Sequence, residues 1–251
     1  MHKAFILTTQ IGVLVLFLVL WEVSAKLGWI DAFLMSSPSR IWATLKDLYA
    51  SGQLFYHIWV SLYETLIGFA IGTVAGTLIA VLMWWSNTVR EVAEPYIVVL
   101  NSLPKIALGP IIIVWAGTGQ KAIIAMAVLI SIIVTIITML GGFLETSPEK
   151  MLLMRTMNAS KFQIFTKLVF PANMATLASC LKINVGMAWI GSIMGEYLVS
   201  RAGLGYLIVY GGQVFQMDLV MSCTIVLCIL AGGMYMLVAA FEKFVVKRRD
   251  N

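Results

Sequence analysis

The sequence predicts an all-α, polytopic membrane protein with about six transmembrane helices. Its 251 residues are 61% hydrophobic and only 12% charged, whereas soluble chains carry roughly 25% charged residues. Long apolar runs alternate with short polar connections, and no GxxxxGK[ST] phosphate-binding loop occurs in the chain. We therefore expect residues 1–251 to form a single transmembrane domain that carries no ATPase of its own.

The first apolar run, about Phe5 to Leu27, predicts a retained span. It is too long for the core of a signal peptide, and it lacks a small-x-small cleavage site. Pro38 is then expected to open a surface helix, because apolar residues from Ile41 to Leu48 recur at helical spacing. This connection is expected to be an amphipathic helix beside the membrane.

The second predicted span, about Leu54 to Trp85, carries a stripe of small and polar residues on one helix face. The stripe consists of His57, Ser61, Glu64, Gly68, Gly72 and Gly76. Small residues allow helices to approach closely, and an ionisable residue in a span normally faces protein or a watery cavity. Two interpretations stay open: helix packing with His57 and Glu64 near the interface, or a role for Glu64 in solute passage.

A polar turn over Ser86 to Glu94 is expected before the third span, about Pro95 to Trp115. Pro104 and Pro110 break this span, which frees backbone carbonyls to face a cavity. Lys105 lies beside the break, with Asn101 one turn earlier on the same face. Lys105 either extends to a cytoplasmic interface or lies on the path of an anionic solute.

The fourth span, about Ala122 to Gly142, follows a tight Gly117–Lys121 connection and carries Ser131 and Thr135 on a mildly polar stripe. Hydroxyl groups at this spacing often bond to carbonyl groups of their own helix. Ordinary helix packing is therefore the simplest interpretation of the stripe.

The fifth span, about Ala172 to Val199, contains Lys182, Asn184 and Glu196. Lys182 and Glu196 are roughly 21 Å apart on a straight helix, so they cannot pair with each other. We expect both to be satisfied by other spans, because buried charges need partners. The last span is expected at about Met217 to Val246.

A polar stretch from Glu145 to Pro171 separates the fourth and fifth spans and predicts two short helices with a corner between them. Ser147 and Pro148 suit a helix start, and Asn158 tolerates the left-handed conformation of a corner. Ser160 and Gln163 form a capping-box pattern. Pro171 is expected to disfavour helix at its preceding residue and to mark re-entry into the membrane.

The run from Arg155 to Pro171 resembles the EAA loop of permease subunits of bacterial ATP-binding-cassette (ABC) importers. In that spacing Asn158 takes the place of the family glycine, Pro171 matches the family proline, and Leu152 replaces the family glutamate. The segments SSPSRI (36–41), LNSLPKIALGPIIIVWAGTG (100–119) and RAGLGYLI (201–208) resemble the sulfonate, nitrate and taurine branch. The resemblance therefore covers nearly the whole chain.

The resemblance implies a type I ABC importer-like fold whose cytoplasmic coupling loop, residues 145–171, docks in a groove of a separate ATPase subunit. Its apolar residues are too many for a solvated loop and need a cover, although some could fold back on the chain's own helices. The expected ATPase-coupling residues are Met151, Leu152, Leu153, Met154, Arg155, Met157, Asn158, Ala159, Ser160 and Lys161. The expected translocation-path residues are Glu64, Asn101, Lys105, Ser131, Thr135, Lys182, Asn184 and Glu196.

The partners implied are two ABC ATPase subunits, a second permease copy in a homodimer, and an extracytoplasmic solute-binding protein. The solute is expected to be a small anion such as a sulfonate, taurine or nitrate, with a pyrimidine-type vitamin precursor as the alternative. No cofactor is expected on this chain, because ATP would bind the partner subunit. Nucleic-acid binding is not expected, since the basic residues are scattered at membrane edges.

The distribution of lysine and arginine predicts that both termini lie in the cytoplasm of a bacterial inner membrane. With the amino terminus inside, 10 of the 17 residues fall on the cytoplasmic side and 5 outside, and the other two, Lys105 and Lys182, lie within spans. Cys180, Cys223 and Cys228 lie in apolar runs without metal-ligand spacing, so they are expected to be packing residues. No metal site is expected.

Two other classes of protein fit the sequence less well. A secondary transporter or channel driven by an ion gradient tends to show internal repeats, and no half-chain repeat is visible here. A membrane enzyme would need a cluster of acids, nucleophiles or metal ligands, and the two histidines, His2 and His57, are not part of one.

Overall fold

The structure of the protein is a computed structural model that describes the backbone of residues 2–247 and the side chains of residues 5, 6 and 8–243. Within that range it contains helices and short connections and no β-strand. The α-helices in chain order are α1 (His2–Lys26), α2 (Ala32–Met35), α3 (Pro38–Ala50), α4 (Gln53–Trp85), α5 (Asn87–Ser102), α6 (Gly109–Ala116), α7 (Gln120–Leu144), α8 (Pro148–Thr156), α9 (Lys161–Ile164), α10 (Phe170–Ala172), α11 (Met174–Val199), α12 (Leu204–Gln213) and α13 (Met217–Lys247).

Five of these helices are long and apolar enough to cross a membrane: α1, α4, α7, α11 and α13. Their bounds agree with the predicted spans to within a few residues. The all-α, membrane-spanning class predicted from composition is therefore confirmed. Pro38 opens α3, as the sequence pattern predicts, and Ser37 is its N-cap.

The third predicted span differs from expectation. Residues 86–94 are not a turn, because Ser86 caps α5 and the helix continues through Pro95 to Ser102. A 3₁₀ turn over Lys105–Leu108 then leads into α6, and the two arms meet at an angle of 96°. The prolines therefore bend this segment into a broken span or a re-entrant loop, which gives a sixth membrane segment if it counts as one span.

The chain forms two compact units. One unit comprises residues 2–60 and 202–228 and is tied together by polar side chains. Arg40 forms an ion pair with Asp218 at 2.7 Å, and the hydroxyl of Ser36 donates to the same carboxylate at 2.6 Å. The Gly203 N–H donates to Nδ1 of the buried His57 at 3.0 Å.

The other unit comprises residues 61–201 and 229–247 and contains both candidate sites. Its main apolar core joins the carboxyl-terminal ends of α4 and α7 to the segment after α8, around Met83, Met139, Phe143 and Val169. Cys180 is buried in this core. Cys223 is buried in the first unit, but Cys228 is exposed, so its predicted role in packing is wrong.

Candidate functional site

The segment between α7 and α11 folds as the sequence predicts, into two short helices with a corner, which we call the elbow (residues 145–171). The Ser147 hydroxyl caps α8 by accepting the Lys150 N–H at 3.4 Å. Asn158 has φ +59°, the left-handed conformation that closes a helix. Ser160 and Gln163 form the predicted capping box, with bonds of 3.2 and 2.8 Å. The corner is therefore fixed at both of its ends.

The apolar residues of the elbow divide into two groups. Met151, Met154 and Ala159 pack against the apolar core of their own unit. Leu152, Leu153 and Met157 are instead 63%, 61% and 74% exposed. Arg155, Asn158 and Ser160 are also exposed. Both sequence interpretations thus hold for part of the elbow: some side chains fold back, and the others form an uncovered apolar surface.

Phe162 enlarges this surface, because it is 64% exposed at the start of α9. Phe162 is not among the coupling residues predicted from the sequence. An aromatic residue between polar residues in a short helix does, however, indicate a possible docking surface. We call Leu152, Leu153, Met157 and Phe162 together the apolar face of the elbow. The ammonium of Lys161, the residue before Phe162, is directed away from this face and donates to the Trp85 carbonyl at 2.5 Å.

The predicted break of the helix before Pro171 is wrong. A π-helical turn over Phe165–Val169 runs directly into α10, where Pro171 lies in the first turn. A proline is tolerated there because the N–H groups of a first helical turn have no partner within the helix. The elbow therefore enters α11 through a widened turn and a three-residue helix.

The second candidate site is a group of three closely packed helices, α4, α7 and α11, which we call the helix trio. Glycines make the close approach possible. A Cβ at Gly76 of α4 would lie 2.6 Å from Thr135 Cβ, and one at Gly191 of α11 would lie 2.5 Å from Ala127 Cα, both on α7. Real Cβ atoms do not come this close to other atoms. The predicted packing role of the glycine stripe is thus confirmed for α4.

Polar side chains connect the members of the trio. The Asn184 amide of α11 donates to Thr73 of α4 at 3.0 Å and to Thr135 of α7 at 2.6 Å. The hydroxyls of Thr65 and Ser192 lie 2.6 Å apart. Ser131 and Thr135 donate to carbonyls of their own helix at 2.8 and 2.9 Å, as the spacing predicts. Hydrogen bonds between membrane helices contribute about 0.6 kcal/mol each on average.

Two carboxyl groups are buried inside the same packing. Glu64 is 0% and Glu196 1% exposed, and the two groups interact electrostatically. The carboxyl oxygens of Glu64 have no hydrogen-bond partner other than Glu196 among the described residues. Ser131, Thr135 and Asn184 are fully buried as well. In this structure these predicted translocation-path residues lie between helices, so their contact with a solute stays a prediction.

The remaining predicted translocation-path residues are more accessible. Lys105 is close to Asn101, whose carbonyl and side-chain oxygens are both 3.4 Å from the ammonium, and both residues lie beside the bend. Lys182 does not face an open cavity as a free cation, because it pairs with Glu242 of α13 at 2.6 Å. The expectation that another span satisfies Lys182 is therefore confirmed.

We expect the Lys182–Glu242 ion pair to stabilise the attachment of α13 to α11. Lys182→Met or Glu242→Gln alone should lower the thermal midpoint of unfolding, but by less than the loss of a fully buried pair would, because the side chains are 25% and 22% exposed. The exchanged variant, Lys182→Glu with Glu242→Lys, should recover most of the loss. Thermal unfolding of the purified protein in detergent measures the loss of stability. Equal losses in the single and exchanged variants would show that charge pairing does not stabilise the contact of α13 with α11.

No group of three or more metal-ligating side chains occurs in the part of the chain that the structure describes. The site therefore consists of two features with different chemistry. The elbow presents an uncovered apolar face, and the trio is a buried, hydrogen-bonded scaffold that crosses the membrane. Such an arrangement is typical of a membrane-spanning transport subunit.

Comparison with known proteins agrees with this class. Residues 72–251 match the family described as "Binding-protein-dependent transport system inner membrane component". The chain belongs to this family and is a permease subunit of the ABC importer type. It is therefore a multi-pass inner-membrane protein.

Several curated relatives cover most of the chain. A probable ABC transporter permease protein of Haemophilus influenzae is 30% identical over 90% of each chain. The formylaminopyrimidine transport permease of Halalkalibacterium halodurans is 32% identical over 75% of each chain. A putative aliphatic sulfonates transport permease of Bacillus subtilis is 25% identical over 92% of this chain and 84% of its own. The predicted resemblance to the sulfonate and taurine branch is confirmed.

Solved structures confirm the type I importer fold. An inward-facing MetNI methionine ABC transporter matches with a TM-score of 0.69 at 19% identity, over 75% of this chain and 94% of the matched chain. A bacterial alginate ABC transporter, in complex with an alginate pentasaccharide-bound periplasmic protein, matches with a TM-score of 0.65 at 13% identity, over 98% and 96%. At these identities the likeness concerns the fold.

Proposed function

We propose that this chain is the membrane-spanning subunit of an importer that is driven by ATP hydrolysis on separate subunits. The observation that carries the proposal is the apolar face of the elbow, which remains uncovered although the rest of the segment packs on its own core. An apolar surface of this kind on a short, rigid helix pair favours docking to another protein. ATP binds the docked subunit, and this chain itself needs no cofactor.

The proposed assembly contains two copies of this chain, two ATPase subunits and an extracytoplasmic solute-binding protein. The whole chain acts as one permease domain, with both termini and the elbow in the cytoplasm, where ATP is available. The lysine and arginine distribution supports this orientation, with 10 residues inside against 5 outside. Closure of the two ATPase subunits moves both elbows, and the spans respond by exchanging outward- and inward-facing states.

The solute is a small anion, with a sulfonate, taurine or nitrate as the leading candidates. Relatives named for aliphatic sulfonates and for taurine support this class. Lys105 supports it as well, because it lies half-buried beside the bent segment and pairs with no carboxylate among the described residues. Lys182 offers less support, since Glu242 already neutralises its charge.

A pyrimidine-type vitamin precursor is the second candidate. The observation in its favour is the relative named for formylaminopyrimidine transport, which is 32% identical. Binding of each compound to the cognate solute-binding protein, measured by calorimetry, distinguishes the two classes. Specificity is expected to reside mainly in that protein, because it selects the solute before the membrane step.

Reconstitution in vesicles tests the proposed function. The complete complex, with ATP enclosed and the loaded binding protein outside, should take up solute, and uptake should stop when ATP is replaced by a non-hydrolysable analogue. A proton or sodium gradient without ATP should give no uptake. Transport that runs on such a gradient alone would support the secondary-transporter class and contradict the proposal.

A further inference from the structure

Lys161 connects the elbow to the end of a membrane span. Its ammonium donates to the carbonyl of Trp85, the last residue of α4, at 2.5 Å. It also lies 5.6 Å from the ring centre of Trp84 and 6.0 Å from that of Trp85, within the range of cation–π attraction. The last carbonyls of a helix lack partners and carry partial negative charge, so a cation there is stabilising.

Phe165 makes a second connection at the same place. Its ring centre lies 5.1 Å from that of Trp84, 5.5 Å from that of Phe143 on α7, and 5.9 Å from that of Phe170. Phe165 is the first residue of the π-helical turn, whose wider backbone changes the direction of the side chains that follow. The ring therefore lies among aromatic side chains from α4, α7 and α10.

These two residues stand between the apolar face of the elbow and the trio. Lys161 begins α9, directly after the Asn158 corner, and its neighbour Phe162 belongs to the apolar face. α4 carries Thr65 and Thr73, whose hydroxyls contact α11. A load applied to the elbow can thus reach the packed helices through Lys161 and Phe165, alongside the core contacts of Met151 and Met154.

We propose that Lys161 and Phe165 form a clamp that transmits displacement of the elbow to the end of α4, with Lys161 acting as a positioning residue. Lys161 acts through Trp84 and Trp85, and it does not dock to the ATPase. This inference rests on the proposed function, because it assigns a role within ATP-driven transport. Rigid elements that shift against a packed interface are a common means of passing such motion through a protein.

Separate measurement of ATP hydrolysis and solute uptake tests the clamp. In the complete reconstituted complex, Lys161→Met keeps most of the side-chain length but loses the charge and the hydrogen bond. We expect the ATPase subunit to remain bound and to hydrolyse ATP, while the solute imported per ATP falls about tenfold. Lys161→Arg keeps a cation and a donor, so it should retain most of the wild-type ratio.

Lys150→Met is the matched control, because Lys150 is an exposed lysine on α8 whose ammonium makes no hydrogen bond among the described residues. It should leave the ratio of uptake to hydrolysis unchanged. Trp84→Leu removes the ring under the ammonium and should uncouple the two activities as Lys161→Met does. It provides a second variant if Lys161→Met does not assemble.

Three results would overturn the clamp. Lys161→Met and Trp84→Leu could both keep the wild-type ratio, Lys150→Met could uncouple as strongly, or Lys161→Met could release the ATPase, which would make Lys161 a docking residue. Failure of the proposed function looks different, because the wild-type complex itself would then import solute without hydrolysing ATP.

Discussion

Replacing Leu153 and Met157 together by aspartate is expected to release the ATPase subunit from the membrane complex. Both side chains belong to the apolar face of the elbow and are more than half exposed. A carboxylate placed in an apolar docking groove would be buried without a partner, which is strongly unfavourable. Co-purification of the ATPase with this chain should fall by at least about tenfold, since residues central to an interface contribute about 2 kcal/mol or more.

The exchanged variant Leu153→Met with Met157→Leu is the matched control, because it preserves an apolar surface of similar volume. It should retain the ATPase. Met151→Asp is not a suitable substitute for the double change, since Met151 packs against the core of its own unit and its replacement would disturb folding. Undiminished ATPase binding by the double aspartate variant would show that the partner does not cover this face.

Gly191→Ala is expected to destabilise the protein, although it adds only one methyl group. The new Cβ would lie 2.5 Å from Ala127 Cα and 2.9 Å from its backbone nitrogen. Backbone atoms cannot move aside as a flexible side chain can, so α11 and α7 would have to separate. Overpacking of this kind costs about 1–3 kcal/mol, and the thermal midpoint of unfolding in detergent should fall accordingly.

Gly186→Ala on the same helix is the control, because a Cβ at Gly186 meets no atom within 4 Å. Alanine favours helix over glycine by up to about 1 kcal/mol, so this variant should be as stable as the wild type or slightly more stable. If the two variants unfolded at the same temperature, close contact at Gly191 would not limit the packing of α11 on α7.

Local signals made the spans and the elbow predictable from the sequence. Each of these local features depends on residues no more than four positions apart. They are the caps at Ser147 and Ser160 and the corner at Asn158. The polar residues after Ser86 predict a turn, whereas in the structure Ser86 caps a helix. Polarity alone does not distinguish an exposed helix from a turn.

Features that depend on the register between distant helices could not be predicted. Glu242 was not identified as the partner of Lys182, since 60 positions separate them and the pairing requires α13 to meet α11 at one particular height. The direction of the Lys161 side chain was likewise open, because a long flexible side chain can face either a partner protein or its own helix end. Only the fold places the Trp85 carbonyl within its reach.

The hydrogen bonds of the Asn184 amide affect where a solute can cross the membrane. A single side chain bonded to both Thr73 and Thr135 leaves no passage between α4, α7 and α11. In the proposed importer, solute therefore passes outside these three bonded helices, and one chain supplies one wall of the path. In the proposed assembly, the second copy of the chain supplies the opposite wall.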